Sequence, residues 1–352
     1  MRSRLTVALG RTARLAARMR GGGSGGTAFP GLVMERTDPG FLERTLSRLP
    51  RGVIVVSGTN GKTTTTKMVV QLLREQGLKV FTNRTGSNFV RGVLAALLTE
   101  VDAAGNLDAD IAVLELDEAH AVHFVARVRP RACLLLNVMR DQLDRFGEID
   151  YTASLLHSIA KATSDVVVLN GDDPRLAAPA FLEDVTARVV SFGAGEDLRS
   201  LFLSDDDLRT GLASPRDRGE GAGPRVTLEA INGQRATVRV DGASHEVDFA
   251  IPGVHNLLNA CAALGVVLEV LGEDADLPGL LATLGTVQAA FGRGEVLTLD
   301  GRPVQLSLVK NPAGFRMGLL SAAAQAQAGE VVVVAINDEY ADGRDMSWLW
   351  DV

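Results

Sequence analysis

One stretch of this chain, residues 53–66 (VIVVSGTNGKTTTT), constrains its fold more than any other. An apolar, β-branched run from Val53 to Val56 breaks into a glycine-containing loop, which leads into a helix-compatible segment at 67–76. A strand, a glycine loop and a helix in this order gather backbone N–H groups around one concavity, and the helix N-terminus adds partial positive charge. The stretch therefore predicts a phosphate-binding loop at the edge of an α/β sheet.

The residues of the loop suit a nucleoside triphosphate. Gly58 and Gly61 let the backbone approach a phosphate closely, Lys62 reaches the outer phosphates, and the Thr63 hydroxyl binds Mg²⁺. The usual pattern has glycine where this chain has Val56, so the loop is a variant. A chance Gly-Lys-Thr at a helix start is the alternative, which the flanking strand and helix disfavour. We expect ATP and Mg²⁺, held by the loop residues Gly58, Thr59, Asn60, Gly61, Lys62, Thr63 and Thr64.

The composition is that of a soluble protein with a sizeable core. The 352 residues suffice for two or three domains, 46% are hydrophobic, and no apolar run reaches the length of a membrane span. The net charge of −7 argues against a nucleic-acid-binding protein. Cys133 and Cys261 each lie in an apolar run without a C-x-x-C motif, which predicts buried free thiols, no zinc site and a cytoplasmic setting.

The first 20 residues contain six arginines and no acidic residue. They lack the apolar core of a secretion signal. Two interpretations remain open. An amphipathic helix with Leu5, Leu9 and Leu15 on one face would touch an anionic membrane surface peripherally. Alternatively, a solvated basic helix leads into the glycine-rich loop at 21–26.

Short apolar runs alternate with helix-like runs from Arg51 onward. This alternation predicts a doubly wound, mostly parallel sheet whose ligands bind at the carboxyl ends of its strands. The predicted strands are 53–57, 79–82, 111–116, 132–137, 165–170 and 188–192, and the predicted helices are 62–76, 88–100, 119–127, 150–162 and 174–182.

The second half of the chain changes character. Residues 194–224 are polar and predict an irregular connection, and the alternating runs over 226–251, divided at Asn232-Gly233 and Asp241-Gly242, predict an appended β-meander. A helix at 256–271 and strands at 295–299, 304–309 and 331–336 follow. We expect a short basic lead-in (1–50), a central ATP-binding domain (51–293) and a carboxy-terminal α/β, Rossmann-like domain (294–352) that is cut short at Val352.

Polar side chains follow three predicted strands. Glu115, with Asp117 and Glu118 close by, is our candidate Mg²⁺ ligand, and a solvated acidic strand end is the alternative. Asn137 ends the next strand, before a polar loop at 141–145 that serves either the ligand or helix capping. The third strand leads to Asn170, Asp172 and Asp173.

The loop-to-helix segment at 251–264 adds three more polar candidates. His255 at a helix start is more often a capping or packing residue than a functional one. Asn256 and Asn259 lie about one turn apart, where their amides present donors and acceptors to a base edge. Arg293 and Lys310 are isolated cations, for which a surface position is the ordinary expectation.

Together the segments SGTNGKTTTT, LELDEAH, LNVMRDQLDRFGE, LNGDDP, IPGVHNLLNACAAL and FGRGE, in that order, resemble the Mur ligase superfamily over roughly residues 51–312. Within it, TNRTGSNFVRG, VKNPAG, NDEYADGRDMSWLWD and Gln142 are similar to the MurT subfamily, the synthetase subunits of lipid II isoglutaminyl synthase. Only 52 residues precede the loop strand, too few for the uridine-nucleotide domain of the amino-acid-adding members.

The resemblance implies a reaction. ATP would phosphorylate the α-carboxylate of D-glutamate in the stem peptide of lipid II, and ammonia would convert the acyl phosphate to D-isoglutamine at the inner face of the membrane. It also implies a GatD-like glutaminase partner that supplies ammonia. By the family pattern Asn259 contacts adenine, Arg293 the phosphates and Lys310 the transferred group, Asp351 supports the partner, and the acceptor lies near Thr82, Asn83, Arg84, Thr85, Asn88 and Asn137.

Three departures from the family pattern stand out. The four-cysteine zinc ribbon of many relatives is missing, His157 stands where several relatives have a carbamylated lysine, and the last domain looks short. Two other functions therefore stay open. One is a ligase that adds an amino acid to a carboxylate, of the Mur or folylpolyglutamate type. The other is a scaffold subunit whose ATP site only regulates a partner.

Overall fold

A computed structural model of the chain describes residues 2–19, 28–83, 88–140, 148–204, 207, 223–288, 293–309, 311–325 and 331–335. Its helices are α1 (Arg2–Met19), α2 (Ala28–Thr37), α3 (Phe41–Leu46), α4 (Lys62–Glu75), α5 (Val90–Glu100), α6 (Glu118–Val125), α7 (Glu148–Ala162), α8 (Pro179–Leu182), α9 (Val254–Leu271), α10 (Leu277–Thr286) and α11 (Pro312–Gln325). Its strands are β1 (Val53–Ser57), β2 (Val80–Thr82), β3 (Ile111–Glu115), β4 (Ala132–Leu135), β5 (Val166–Asn170), β6 (Arg188–Ala194), β7 (Val226–Asn232), β8 (Arg235–Val240), β9 (Ala243–Asp248), β10 (Arg293–Leu299) and β11 (Arg302–Ser307).

Nine strands form one sheet in the order β2-β3-β1-β4-β5-β6-β7-β8-β9. Every pair from β2 to β7 is parallel, and the sheet continues with β8 antiparallel to β7 and β9 antiparallel to β8. The strands β1, β3, β4 and β5 are buried along their whole length, as expected for parallel strands covered on both faces. The predicted doubly wound sheet is confirmed, and the predicted meander is its continuation.

The sheet contains a topological switch point beside β1. The chain builds β2 and β3 on one side of β1 and then crosses to add β4 on the other side. Crevices at the carboxyl ends of the strands open where the strand order reverses in this way, and ligands of α/β proteins bind there. The loop that follows β1 lies in this crevice, between Glu115 at the end of β3 and the segment that follows β4.

The two faces of the sheet bury separate hydrophobic cores. Along β1, Ile54 and Val56 face one core, whereas Val53 and Val55 face the other, as the period of two in a strand requires. Helices α4, α9 and α10 cover the first face together with the meander, and α3, α5, α6 and α7 cover the second. The loop therefore fixes the start of helix α4, and α9 packs against its buried side.

Within the described residues, the segment Val254–Asp274 alone is long and apolar enough to cross a membrane. Its most apolar window is 78% buried inside the protein, and α9 packs against α4 and four strands. We therefore describe it as the central helix of the first core. Its apolar character comes from being covered on nearly every side.

Both predicted hairpins of the meander are present. Asp241 and Gly242 have φ values of 47° and 89° and link the paired residues Val240 and Ala243. Two consecutive positive φ values define the turn that joins twisted strands with a two-residue loop. The other hairpin turns through Gly233, with φ 62°, immediately after Asn232.

Two sequence predictions of secondary structure are wrong. The helix at 174–182 is reduced to α8, because the buried Asp173 carboxylate accepts the N–H groups of Arg175 and Leu176 and holds the following residues in a turn. No strand forms within 331–335, where Val331 and Val333 are 83% exposed. The helix expected within residues 1–20 is present as α1, and α1, α2 and α3 all contribute buried residues to the second core.

Candidate active site

The loop between β1 and α4 has the backbone geometry of a phosphate cradle. Gly58 and Gly61 have φ values of 131° and 86°, in the region that side chains disfavour. A Cβ atom on Gly61 would lie 2.7 Å from the Asn259 Oδ1 atom, and one on Gly58 would lie 3.0 Å from the Asn137 backbone nitrogen. The loop is thus open only because both residues are glycine. The first N–H groups of α4 have no partner within their own helix and are oriented for an anion.

Lys62 is the first residue of α4 and is buried at the base of this cradle. Its Nζ atom donates to the Gly58 carbonyl at 2.5 Å and lies 3.3 Å from both carboxylate oxygens of Glu118. Glu118 is also buried, at the start of α6. The sequence placed Glu118 near the metal, and the structure adds that this carboxylate orients the lysine.

Thr63 and Glu115 form the second polar pair of the site. The Thr63 hydroxyl donates to Glu115 Oε1 at 2.9 Å, and both side chains are buried. The Asn83 amide holds the Glu115 backbone from both sides, because it accepts the Glu115 N–H at 2.9 Å and donates to the Glu115 carbonyl at 2.8 Å. A hydroxyl and a carboxylate at this distance are suitable oxygen ligands for Mg²⁺.

Asn137, which follows β4, braces the loop from the other side. Its amide oxygen accepts the Asn60 N–H at 2.9 Å, and its amide nitrogen donates to the Asn60 carbonyl at 3.1 Å. Thr59 is tied to the same segment, since its N–H donates to the Asn137 carbonyl and its hydroxyl accepts the Met139 N–H. Asn137, which the sequence places near the acceptor substrate, thus supports the backbone of the cradle.

A cleft extends from the loop toward α9 and α11. Its walls include Gly61, His255 and Asn259 on one side and the β10–β11 hairpin with α11 on the other. Asn256 is buried and donates to the Pro252 carbonyl at 2.6 Å, while Asn259 donates to the Asn256 amide oxygen at 3.4 Å. Asn256 therefore orients Asn259, which lies directly against the loop.

Three polar residues at and just after the carboxyl end of β5 also belong to the cleft. Asn170, Asp172 and Asp173 are buried and line it. Asp172 and Asp173 accept backbone N–H groups of Ala194 and Val138, so both carboxylates tie neighbouring strand ends together. These residues shape the cleft through the backbone that they hold.

Sequence reasoning missed the contact between Asn311 and the loop. Its amide exchanges two hydrogen bonds with the Asn60 side chain, at 3.3 and 3.1 Å, and thereby connects the loop to the start of α11. The two residues are 251 positions apart, and a lone asparagine in a Lys-Asn-Pro context gave no signal. Asn311 and the start of α11 are thus held beside the cradle.

The structure describes only some of the other predicted residues. Thr82 is half-buried at the end of β2, and the Asn88 carbonyl accepts the Asp117 N–H beside the start of α6, so both lie at the same sheet edge as Glu115. Arg293 begins β10, but its side chain is not among the described atoms. The remaining predicted positions lie outside the described residues, and they are Arg84, Thr85, the 141–145 loop, Lys310 and Asp351.

Replacing Gly61 by alanine is expected to weaken ATP binding at least tenfold, because the new Cβ displaces Asn259 and distorts the cradle. Gly77→Ala is the matched control. Gly77 has nearly the same φ, 83°, but nothing lies within 4 Å of the position that its Cβ would occupy. Titration of both variants with a fluorescent ATP analogue checks the prediction. Equal affinities for the two variants would contradict the assigned role of Gly61.

Asp173 is expected to give the protein a pH-dependent stability. Burial raises the pKa of its carboxyl from 3.8 to about 6, against the opposing effect of the N–H groups of Val138, Leu176 and Arg175. The folded state therefore holds an extra proton between about pH 4 and pH 6, and its free energy of unfolding falls by up to roughly 3 kcal/mol as pH rises through that window. Urea unfolding should show this slope in the parent chain and not in Asp173→Asn, and identical slopes would refute the assignment.

Residues 56–267 of the chain match the family described as "Mur ligase middle domain", and residues 308–352 match "MurT ligase C-terminal". The first match alone covers more than half of the chain. The chain belongs to the Mur ligase family. The predicted resemblance is therefore confirmed, and by family the protein is a ligase of peptidoglycan synthesis.

This Mur ligase is similar along most of its length to proteins named for one complex. It is 30% identical over 347 residues to "Lipid II isoglutaminyl synthase (glutamine-hydrolyzing) subunit MurT" of Streptococcus pneumoniae, which covers 93% of the chain and 75% of that protein. It is 28% identical to the subunit of the same name in Staphylococcus aureus, over 100% of the chain and 81% of that protein. A UDP-N-acetylmuramoylalanine–D-glutamate ligase of Burkholderia vietnamiensis is 31% identical, but over 84% of the chain and 57% of that protein.

Solved structures share the fold of this Mur ligase. MurF from Acinetobacter baumannii superposes with a TM-score of 0.64 at 20% sequence identity, over 84% of the chain. MurF from Thermotoga maritima, determined in complex with ADP, superposes with a TM-score of 0.61 at 21% identity, over 82% of the chain. The chain spans about 58% and 61% of the lengths of these two proteins. Both confirm the predicted α/β fold class.

Proposed function

We propose that this Mur ligase is the synthetase subunit of an amidating complex. It would use ATP to activate the α-carboxylate of D-glutamate in a lipid-linked peptidoglycan precursor, and then convert that carboxylate to an amide with ammonia from a glutaminase subunit of the GatD type. The observation that carries the proposal is the convergence of Lys62, Thr63 and Glu115 at the switch point of the sheet. We infer the acceptor and the partner from the similarity to MurT proteins, which extends along the sequence well beyond the residues of that site.

The cradle supports the first half of this reaction. A carboxylate oxygen of the acceptor attacks the γ-phosphorus of ATP, the bond to the β-phosphate oxygen breaks, and ADP leaves. Such a transfer needs positioning and neutralisation of charge rather than a protein nucleophile. Lys62 supplies a cation at the outer phosphates, and the first N–H groups of α4 supply donors. Mg²⁺, when held by Thr63 and Glu115, would neutralise further negative charge on the phosphates.

The metal assignment agrees with the donor set. Mg²⁺ in proteins is usually held by one or two carboxylates together with substrate phosphates and water. The part of the chain that the structure describes has no group of three or more histidine, cysteine or acidic residues suited to a metal. The Thr63–Glu115 pair therefore fits an ion that arrives with the nucleotide better than a permanent all-protein site.

The second half of the reaction replaces phosphate by nitrogen. Ammonia attacks the carbonyl carbon of the acyl phosphate, phosphate leaves with the oxygen that it received, and a proton departs from nitrogen. The chain's two cysteines do not suit glutamine hydrolysis, because burial raises the pKa of both thiols to about 12. This supports a separate subunit as the source of ammonia, in agreement with the relatives' description as subunits. The proposed roles of Lys310, Arg293 and Asp351 come from the family pattern alone.

The test is mass spectrometry of a lipid-linked muropeptide with free D-glutamate, incubated with the chain, ATP, Mg²⁺ and ¹⁵N-ammonium. Ammonium replaces the partner as the source of nitrogen. The expected product has one hydroxyl replaced by a labelled amine. No such product, either from the chain alone or in complex with a glutaminase subunit and glutamine, would overturn the proposal.

The similarity to a D-glutamate ligase supports a second candidate function. A ligase of that kind would add an amino acid through the same acyl phosphate. Incubation of the same acceptor with a mixture of amino acids in place of ammonium separates the two. A mass gain of an amino-acid residue, with no ammonium product, would select this alternative.

A further inference from the structure

Helix α1 is attached to the domain by one face only. Its buried residues are Thr6, Val7, Gly10 and Ala13. Gly10 allows a close approach, since a Cβ atom there would lie 2.9 Å from the Met34 side chain of α2 and 3.0 Å from the Leu98 side chain of α5. The Arg11 guanidinium also donates to the Val101 carbonyl at 2.9 Å. The orientation of the helix on the domain is therefore fixed.

The opposite face of α1 is apolar and exposed to solvent. Leu5, Leu15 and Met19 are 61%, 60% and 80% exposed, and Leu9 is 39% exposed. At about 100° per residue they share an arc of roughly 120° with Ala8, Thr12 and Ala16, all of which are exposed. A surface helix of a globular domain carries charged or polar residues on its outer face. Here the outer face has no charged residue, so a partner surface is needed to bury it.

Arginines border this apolar arc on both sides. Arg4, Arg11 and Arg18 recur every seven residues along one edge, and Arg2 lies at the other edge. The helix contains no acidic residue, although the whole chain has a net charge of −7. Arg2 also pairs with Asp38 and Arg11 is bound to the domain, but Arg4 and Arg18 are exposed. Positive charge is thus concentrated at the margins of an outward apolar face.

We propose that α1 is an interfacial helix that docks the protein on an anionic lipid bilayer, with Leu5, Leu9, Leu15 and Met19 inserted among the headgroups and acyl chains. An apolar stripe bordered by arginines is the pattern that binds such an interface, through apolar burial and attraction to anionic lipids. A second copy of the chain is a poorer occupant, since a symmetric interface would bring the arginines of both helices together. The inference deepens the proposed function, because a lipid-linked acceptor lies in that bilayer, but its test does not depend on catalysis.

The experiment is co-sedimentation of the full chain with phosphatidylcholine vesicles that contain either no phosphatidylglycerol or about one-third of it. The parent chain should bind the anionic vesicles. The variant Leu5→Gln/Leu15→Gln/Met19→Gln should lose at least tenfold in affinity, because all three side chains are exposed and the fold does not depend on them. Arg4→Gln/Arg18→Gln should lose about tenfold on anionic vesicles and nothing on neutral ones.

Leu299→Gln is the matched control. Leu299 is 65% exposed in the β10–β11 hairpin, so this substitution changes a similarly exposed leucine outside α1. It should bind vesicles like the parent chain. Absence of vesicle binding by the parent, or equal binding by the α1 variants, would overturn the proposal. So would light scattering that shows a dimer of the parent and a monomer of the triple variant, because α1 would then be an interface between copies. Failed amidation with intact vesicle binding would count against the proposed function alone.

Discussion

Replacing Lys62 by methionine is expected to lower the rate of ATP-dependent product formation by about 10²–10³-fold, because the cation at the outer phosphates is lost. Methionine retains most of the aliphatic volume of the buried side chain. The rate with saturating ATP and ammonium measures the effect. Lys67→Met provides a control in the same helix. Its ammonium lies on the surface and donates to the Gln288 carbonyl, so the variant should retain the parent rate.

The ion pair with Glu118 complicates the single variant. Without Lys62, the Glu118 carboxylate stays buried without its cation, and the free energy of unfolding should fall by about 3–5 kcal/mol. The double variant Lys62→Met/Glu118→Gln removes both charges and should recover most of this loss. Activity should stay low in the stable double variant. A double variant with the parent rate would show that Lys62 holds the fold together and does not act on phosphate.

Glu115→Gln is expected to reduce turnover by at least about 10²-fold at low Mg²⁺ and to raise the Mg²⁺ concentration for half-maximal activity. The substitution removes the negative charge but keeps an amide oxygen that can accept the Thr63 hydroxyl, so the thermal midpoint should change little. A readout separate from activity is the Mg²⁺ dependence of ATP-analogue binding, which should be lost in the variant.

Asp117→Asn is the control for the metal assignment. Asp117 is the N-cap of α6 and accepts the Ala119 N–H, a role that asparagine also fills. Its carboxylate lies two residues from Glu115 in sequence, so the variant tests whether any acidic residue in this segment suffices. An unchanged Mg²⁺ dependence for Glu115→Gln, or an equal shift for Asp117→Asn, would refute Glu115 as the metal ligand.

The residues of the cradle were predictable because their relationships are local. Strand, loop and helix follow one another within 53–75, and glycines with positive φ can be expected wherever the backbone must approach an anion. The positions of Glu115 and Asn137 beside the loop could also be predicted, since parallel strands bring their carboxyl ends to one edge. The Asp-Gly turn of the meander has a comparably local cause.

The contacts that the sequence did not predict depend on distant segments. The pairing of Lys62 with Glu118 needs the register of β1 against β3, and the amide pair of Asn60 with Asn311 needs the position of α11. No periodicity in either segment contains that information. The outward apolar face of α1 is a third case, because the sequence shows that leucines recur but not which side the domain covers.

The helix predicted at 174–182 shows how a side chain overrides propensity. The residues after Asp173 are compatible with a helix, but the Asp173 carboxylate takes two of their backbone N–H groups and fixes a turn. The same carboxylate accepts the Val138 N–H from the segment after β4. A local hydrogen bond that also joins two loops is more stable than the first turn of an isolated helix.

The most direct test of the central claim follows the oxygen atoms of the acceptor. A lipid-linked muropeptide with ¹⁸O at both oxygens of the α-carboxylate of D-glutamate is incubated with the chain, ATP, Mg²⁺ and ammonium, and the released phosphate is analysed by mass spectrometry. If the carboxylate is activated as an acyl phosphate, each phosphate formed with an amide carries one ¹⁸O atom. Amide formed with unlabelled phosphate, or phosphate released with no amide, would contradict the account.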